Sequence, residues 1–232
     1  MTATLAICAG AIVQGSIGFG LNLLSAPILV LIDPHFAPVP VIAVSLVLNA
    51  LLVQRNRGHR SWHAMRWPMV GAVPAMVAGA AVVAVIDQRA LSIGFAVLLL
   101  AAVALSLSGL RPAHNDRNLG LAGAASGFMG TTTGVGGPPM GLLFQDHQGP
   151  ELRASLLRFF LFTSVVSLSL LFAFGEVHRR DMGLALVLLP GALSGYLVAP
   201  RLSRRLDRGY VRHAVLAVSA ASAVVVLIRA LA

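Results

Sequence analysis

Two glycine-rich segments interrupt otherwise continuous apolar runs, one in each half of the chain. The first contains Gly18 and Gly20, and the second contains Gly134 and Gly136, at an offset of 116 residues in a chain of 232. A helix that is broken within hydrocarbon leaves backbone N–H and C=O groups without partners, which costs several kcal/mol for each group. Paired breaks of this kind therefore indicate a cavity or a binding site rather than an accident of composition.

The surrounding sequence predicts an all-α integral membrane protein. Hydrophobic residues make up 57% of the chain and charged residues 11%, and apolar runs of roughly 17–25 residues are long enough to cross a bilayer. We predict a broken segment over 3–32 followed by helices near 38–54, 67–86 and 90–110, and then a broken segment over 119–145 followed by helices near 152–174, 182–200 and 212–230. The chain is thus read as a single membrane domain, 1–232, built from two repeats, 1–116 and 117–232.

The arginines predict how the broken segments lie in the membrane. All 17 basic residues are arginine, and they sit in short connections, so we interpret the net charge of +9 as a topology signal and expect no nucleic-acid partner. If each broken segment crosses the bilayer, the arginines divide 9 to 8 between the two faces, whereas two re-entrant hairpins divide them 13 to 4. The positive-inside rule favours hairpins that enter from opposite faces, which makes the halves inverted repeats. The N-terminus is then outside, the arginine-rich loops are cytoplasmic, and the hairpin tips reach about the midplane.

The hairpin tips are the candidate substrate site. The first N–H groups of a returning half-helix carry a partial positive charge, so two such ends suit an anion without any basic side chain. The predicted binding residues are Ser16, Gly18, Gly20 and Asn22 in the first tip and Thr131, Thr132, Thr133, Gly134, Gly136, Gly137 and Pro138 in the second. The alternative is that the glycines only allow helices to pack closely.

Two further polar residues lie within predicted helices. Arg158 either neutralises the anion on the cytoplasmic side or extends to the interface, and the second role is favoured. Asn49 either lines the substrate path or holds helices together, and again the second role is favoured.

Enzymatic chemistry is not expected. The glycines around Gly18 lack the third glycine of a dinucleotide fingerprint, no carboxylate lies in mid-span, and the seven histidines show no ligand spacing. We therefore predict neither a cofactor nor a metal site. The sequence leaves open whether H⁺ or Na⁺ is a coupling ion, and whether the protein is a homo-oligomer.

Both glycine segments resemble the signature segments of the TauE/SafE family. The matching motifs are Gly15-x-x-Gly18-x-Gly20 with Pro27, and Gly130-x-x-x-Gly134-x-Gly136-Gly137-Pro138-Pro139, and the resemblance extends over nearly the whole chain, including Arg153. The first segment departs from the family at Leu21 and Asn22, where further glycines are frequent. The resemblance implies a permease for sulfite or organosulfonates, such as sulfoacetate, in a prokaryotic inner membrane.

The sequence therefore predicts a secondary transporter that holds a small sulfur-containing anion between two hairpin tips and works by alternating access. Two alternatives remain, a passive anion channel and a membrane-embedded assembly or partner subunit that transports nothing.

Overall fold

A computed structural model describes residues 1–56, 65–145, 149–202 and 208–231, and every regular element in these ranges is helical. A short 3-10 helix, Pro34–Phe36, accompanies ten α-helices: α1 Thr2–Ile17, α2 Leu21–Ile32, α3 Val39–Arg55, α4 Arg66–Val85, α5 Gln88–Leu107, α6 Asp116–Thr133, α7 Gly137–Leu143, α8 Pro150–Ala173, α9 Arg179–Leu202 and α10 Arg208–Leu231. The all-α membrane class is confirmed, and the predicted spans differ from the observed helices by a few residues at each end.

Five of the described helical segments are long and apolar enough to cross a bilayer: Pro34–Arg55, Arg66–Val85, Gln88–Leu107, Pro150–Ala173 and Arg179–Leu202. The sixth predicted span corresponds to α10, whose described apolar part is Leu216–Ala230. A large buried apolar cluster joins α1, α2, α3, α5, α9 and α10 and forms much of the core.

Both predicted breaks fall at the predicted glycines. Gly18 ends α1 at φ 102°, and its N–H bonds the Gln14 carbonyl at 2.8 Å. Gly134 ends α6 at φ 77°, and its N–H bonds the Gly130 carbonyl at 3.0 Å. Gly20 precedes α2 at φ 115°. Only glycine adopts this left-handed conformation at little cost, so each break depends on its glycine.

Each break reverses the chain rather than kinking a helix. The carbonyl oxygen of Leu21 lies 2.5 Å from the position that a Cβ on Gly10 would occupy. The Ser126 carbonyl oxygen lies 2.7 Å from the corresponding position on Gly136. Residues ten or eleven apart in a straight helix are separated by about 15–16 Å. We therefore call α1 with α2 hairpin 1, and α6 with α7 hairpin 2.

Hairpin 1 turns back towards the end of the bundle from which it comes. The helices α1 and α9 run in parallel, with Thr4 against Gly191 and Gly15 against Ala199. Asp33, directly after α2, accepts a bond of 2.7 Å from Arg180 in the first turn of α9. The backbone N–H of His35 above all, together with the His35 side chain and the Arg180 charge, lowers the pKa of Asp33, so this link remains ionic at neutral pH. We call this the Asp33 end.

Hairpin 2 also returns to its starting end. Gln145, just after α7, donates to the carbonyl of Leu110 at 2.7 Å. The Phe144 ring meets the His114 ring edge-on at 4.9 Å between centroids. Because Leu110 and His114 both precede α6, the two arms of hairpin 2 meet at one end, which we call the Leu110 end.

The two hairpins open at opposite ends of the bundle. Near the start of α5, Arg89 donates to the Ala230 carbonyl at 2.7 Å, and Arg229 donates to the Leu31 carbonyl at 3.0 Å. The start of α5 therefore lies at the Asp33 end, whereas Leu110 follows the other end of the same helix. A helix of 20 residues is about 30 Å long, which is the thickness of a bilayer core.

Helices of the two halves pack in reciprocal pairs. The first helix of each half packs against the fourth helix of the other, α1 on α9 and α6 on α4, while α3 pairs with α8 and α5 with α10. Glycines allow the backbones to approach closely, with Gly191 against the Thr4 carbonyl and Gly123 against the Pro68 carbonyl. Small residues at such crossings are typical of helix packing in membranes.

Gly123→Ala is expected to destabilise the α4–α6 contact by about 1–3 kcal/mol, since its methyl group would overlap the backbone of Pro68. Gly120→Ala on the same helix is the matched control, because the nearest atom to its Cβ is the Trp67 carbonyl oxygen at 3.9 Å. Thermal unfolding of both purified variants measures the difference. Equal midpoints for the two variants would contradict close backbone packing at Gly123.

Candidate functional site

A buried cavity of about 50 Å³ lies between the two hairpins, α3 and α8. Its polar side chains are those of Gln14, Asn22, Ser45, Asn49, Thr163, Ser164 and Ser167. The remaining described lining consists of glycine backbone and apolar side chains: Phe19, Gly20, Leu23, Ile42, Gly130, Gly134, Val135, Gly136, Gly137 and Phe160.

The structure brings some of the predicted site residues to this cavity and leaves others away from it. The predicted residues that line it are Gly20, Asn22, Asn49, Gly134, Gly136 and Gly137. Those that do not are Ser16, Gly18, Thr131, Thr132, Thr133, Pro138 and Arg158. The break residues from Phe19 to Gly20 and from Gly134 to Gly136 therefore line the cavity, whereas the hydroxyl residues that precede each break do not.

The hairpin tips extend past the middle of the bundle, further than the sequence predicts. Gly18 contacts Arg153, which is near the start of α8 at the Leu110 end. Gly134 contacts Val41, near the start of α3 at the Asp33 end. Because each tip approaches the end opposite to its own opening, the tips overlap, and residues of both tips line the cavity.

Asn22 joins the two hairpins. Its Nδ2 donates to the Gly134 carbonyl at 2.6 Å and to the Ser45 hydroxyl at 2.7 Å. One amide hydrogen of Asn22 thus bonds hairpin 2, and the other bonds α3. Asn22 therefore connects the two halves of the site.

Gln14 and Asn49 form a second polar link, and sequence reasoning gave Gln14 no place in the site. Gln14 accepts the N–H of Leu21 through Oε1 at 3.0 Å and donates through Nε2 to Asn49 Oδ1 at 2.5 Å. Gln14 is 5% exposed and Asn49 is 1% exposed. Asn49 therefore both holds helices together and lines the cavity. The signal that could have found Gln14 is its position four residues before Gly18.

The half-helix ends offer fewer N–H donors than the sequence argument assumed. Pro138 and Pro139 occupy the first turn of α7 and have no N–H. The N–H of Leu21, which begins α2, is already bonded to Gln14. Most hydrogen-bonding capacity at the cavity therefore comes from side chains.

The hydroxyls at the tips bond mainly to their own helices. Ser16 donates to the Ile12 carbonyl, and Thr131, Thr132 and Thr133 each donate to a carbonyl four residues earlier. Thr133 also accepts the N–H of Val135 at 3.1 Å and so stabilises the break itself. Their observed role is to support the tip from outside the cavity.

The polar face of α8 was missed by sequence reasoning. Thr163, Ser164 and Ser167 all line the cavity. Their spacing places them on one face of a helix, which is the sequence signal that could have identified them. Ser167 also bonds Thr131 at 2.7 Å between hydroxyl oxygens, which joins α8 to hairpin 2.

Two arginines of α8 lie near the site without lining it. Arg158 is 8% exposed, so it is buried within the protein rather than extended to the surface, contrary to the favoured interpretation. Arg153 donates to the Ser16 carbonyl at 3.4 Å at the end of α1. A cation at this position complements the negative end of the α1 dipole.

A helical bundle with membrane-length helices and a buried polar cavity between two opposed hairpins is the architecture of a multi-pass membrane transport protein. The family model for the sulfite exporter TauE/SafE matches residues 2–226, and the chain belongs to this family. It is therefore a membrane permease of a transporter family rather than a member of an enzyme family. Comparisons with curated proteins and with solved structures found no match.

Proposed function

We propose that the protein is a secondary transporter that carries a small sulfur-containing anion, such as sulfite, across the prokaryotic inner membrane by alternating access. The observation that carries this proposal is the cavity that lies between two hairpins opening at opposite ends of the bundle. Hairpin 1 separates a ligand in this cavity from the Leu110 end, and hairpin 2 separates it from the Asp33 end. Displacement of one tip at a time would expose the ligand to one side only.

The reciprocal packing supports two inverted repeats with boundaries near 1–116 and 117–232. Every strong contact between the halves, such as α1 on α9, has its counterpart under exchange of the halves, such as α6 on α4. Two equivalent units related by a pseudo-two-fold axis produce this pattern. Hairpins that open at opposite ends agree with an axis in the membrane plane.

The cavity size favours sulfite over a larger organosulfonate. The volume of about 50 Å³ exceeds the roughly 10–15 Å³ that a cavity needs to hold one water, so a small ligand fits the space better than a large one. Sulfoacetate carries an additional CH₂ and carboxylate group and therefore needs more space than sulfite.

Transport by purified protein in proteoliposomes tests the proposal. We expect saturable uptake of labelled sulfite and counterflow when unlabelled sulfite is present inside, because a carrier exchanges one bound ligand for another. Flux that does not saturate would instead identify a passive anion channel. No flux would identify a non-transporting assembly or partner subunit.

The orientation with the Asp33 end outside is a further proposal. Arg89, Arg180 and Arg229 lie at the Asp33 end by their contacts, and Arg179 adjoins them. These are the four arginines that the hairpin model assigns to the outer face.

Cysteine labelling checks this orientation. In a background with Cys8 replaced by Ala, a cysteine introduced at His178 is expected to react with an impermeant thiol reagent from outside. A cysteine introduced at Arg117 is expected to react only after the membrane is permeabilised. Both positions are exposed and lie at opposite ends of the bundle. Two other informative positions in the cytoplasmic loops, His59 and Arg205, lie outside the described residues. Labelling of both cysteines from one side would exclude the hairpin arrangement.

A further inference from the structure

The lining of the cavity between the hairpins is neutral, which restricts the charge of its ligand. Every described residue that lines it is uncharged. The charged or titratable groups on the surrounding helices α1, α2, α3, α6, α7 and α8 are not part of the lining, although the two arginines of α8 lie near it: the Met1 amino group, Cys8, Arg55, Asp116, Arg117, Glu151, Arg153 and Arg158. The desolvation cost of an ion grows with the square of its charge, so it is about four times larger for a dianion than for a monoanion.

The side of the cavity that is formed by the amides of Gln14 and Asn49 presents hydrogen-bond donors. Asn49 Oδ1 accepts a hydrogen bond from Gln14 Nε2, and this bond sets the orientation of the Asn49 amide. The other polar group of that amide is Nδ2. Asn49 is 1% exposed and lines the cavity. The Gln14 oxygen is likewise occupied by the N–H of Leu21. The Nδ2 group of Asn49 is a hydrogen-bond donor, so it is suited to an oxygen of the ligand.

The α8 side of the cavity presents acceptors. Thr163 and Ser164 both donate to the Phe160 carbonyl, at 3.2 and 2.7 Å. Ser167 bonds Thr131 at 2.7 Å, and either hydroxyl can be the donor in this pair. A hydroxyl has one proton and two lone pairs, so Thr163 and Ser164 present lone pairs to the cavity. Lone pairs favour a ligand that carries a proton of its own.

Building on the proposed transport function, we infer that the transported species is a singly charged oxyanion that retains one proton, which for sulfite is hydrogensulfite. Asn49 donates a hydrogen bond to its oxygens, and the α8 hydroxyls, Ser164 foremost, accept a hydrogen bond from its proton. One proton then crosses the membrane with each anion, so a pH gradient drives transport without a carboxylate in the protein. The proton that the anion carries is then the coupling ion, whose identity the sequence leaves open.

Initial rates in proteoliposomes test the protonation state. In one series the total sulfite concentration is adjusted at each pH so that the hydrogensulfite concentration stays constant. In a second series it is adjusted so that the concentration of the sulfite dianion stays constant. We expect a constant rate in the first series and a rate that falls with rising pH in the second. A constant rate in the second series, or a rate that follows neither species, would overturn the inference while leaving transport established. Absence of saturable flux in both series would overturn the proposed function as well.

A set of serine variants tests the acceptor side. Loss of one hydrogen bond in Ser164→Ala is expected to raise the KM for hydrogensulfite about three- to tenfold. Ser164→Thr keeps the hydroxyl and should stay close to wild type. Ser169→Ala is the matched control, because Ser169 makes the same bond to a carbonyl four residues earlier, at 2.9 Å, on an exposed face of α8. An unchanged KM in Ser164→Ala, or an equal rise in Ser169→Ala, would contradict the assignment.

Discussion

Asn22→Asp is expected to reduce sulfite flux at least tenfold at neutral pH. The substitution replaces the two N–H donors of Asn22 by a carboxylate oxygen facing the Gly134 carbonyl, and it places a negative charge in a neutral anion cavity. Protonation of the new carboxyl group restores one donor and removes the charge. The ratio of variant to wild-type flux should therefore rise as pH falls, and proteoliposome rates at constant hydrogensulfite concentration measure it.

Asn115→Asp is the control for Asn22→Asp. Asn115 caps α6 by accepting the N–H of Asn118 at 2.9 Å on an exposed surface, and Asp is an equally good cap. We expect this variant to transport like wild type at every pH. A pH-independent loss in Asn22→Asp would indicate general misfolding of the site and would contradict the electrostatic explanation.

Gly136→Ala is expected to lower flux at least tenfold while the protein remains folded. A methyl group on Gly136 would lie 2.7 Å from the Ser126 carbonyl oxygen and 3.1 Å from the Ser126 hydroxyl, which itself bonds the Gly136 carbonyl. The second tip would have to shift, at a cost of about 1–3 kcal/mol. Because Gly136 also lines the cavity, this shift would change the binding geometry.

The control for Gly136→Ala is Gly94→Ala in α5, where a Cβ meets no atom within 4 Å. Transport by Gly94→Ala should equal that of wild type, and thermal unfolding should show both variants folded. Normal flux in Gly136→Ala would mean that the second break serves packing alone.

The hairpins illustrate how far local sequence information extends. Gly18, Gly20 and Gly134 adopt positive φ angles, so the breaks are consequences of residue type and were predictable from sequence. The reversal of each segment was also anticipated, because the distribution of arginines favours hairpins over segments that cross the bilayer. How far each tip extends was not predictable, since it depends on contacts such as Gly18 with Arg153 and Gly134 with Val41, which are remote in sequence.

The residues that line the cavity were also only partly predictable from sequence. Asn22 was identified because it lies directly after a break, and its connection to Gly134 agrees with a role at the tips. The threonines of the second tip looked equally suitable, yet they bond to their own helix. Whether a hydroxyl faces a cavity or its own backbone depends on helix rotation, and neighbouring helices set that rotation.

By itself the sequence determined the membrane class and the two breaks, because hydropathy and glycine conformation act locally. Only the tertiary structure decided which polar groups meet. It brought Gln14 of α1, Asn49 of α3 and the hydroxyls of α8 around one cavity, and it left the tip threonines outside. The physical reason is that a hydrogen bond between distant helices depends on their relative rotation and depth, which no local sequence pattern specifies.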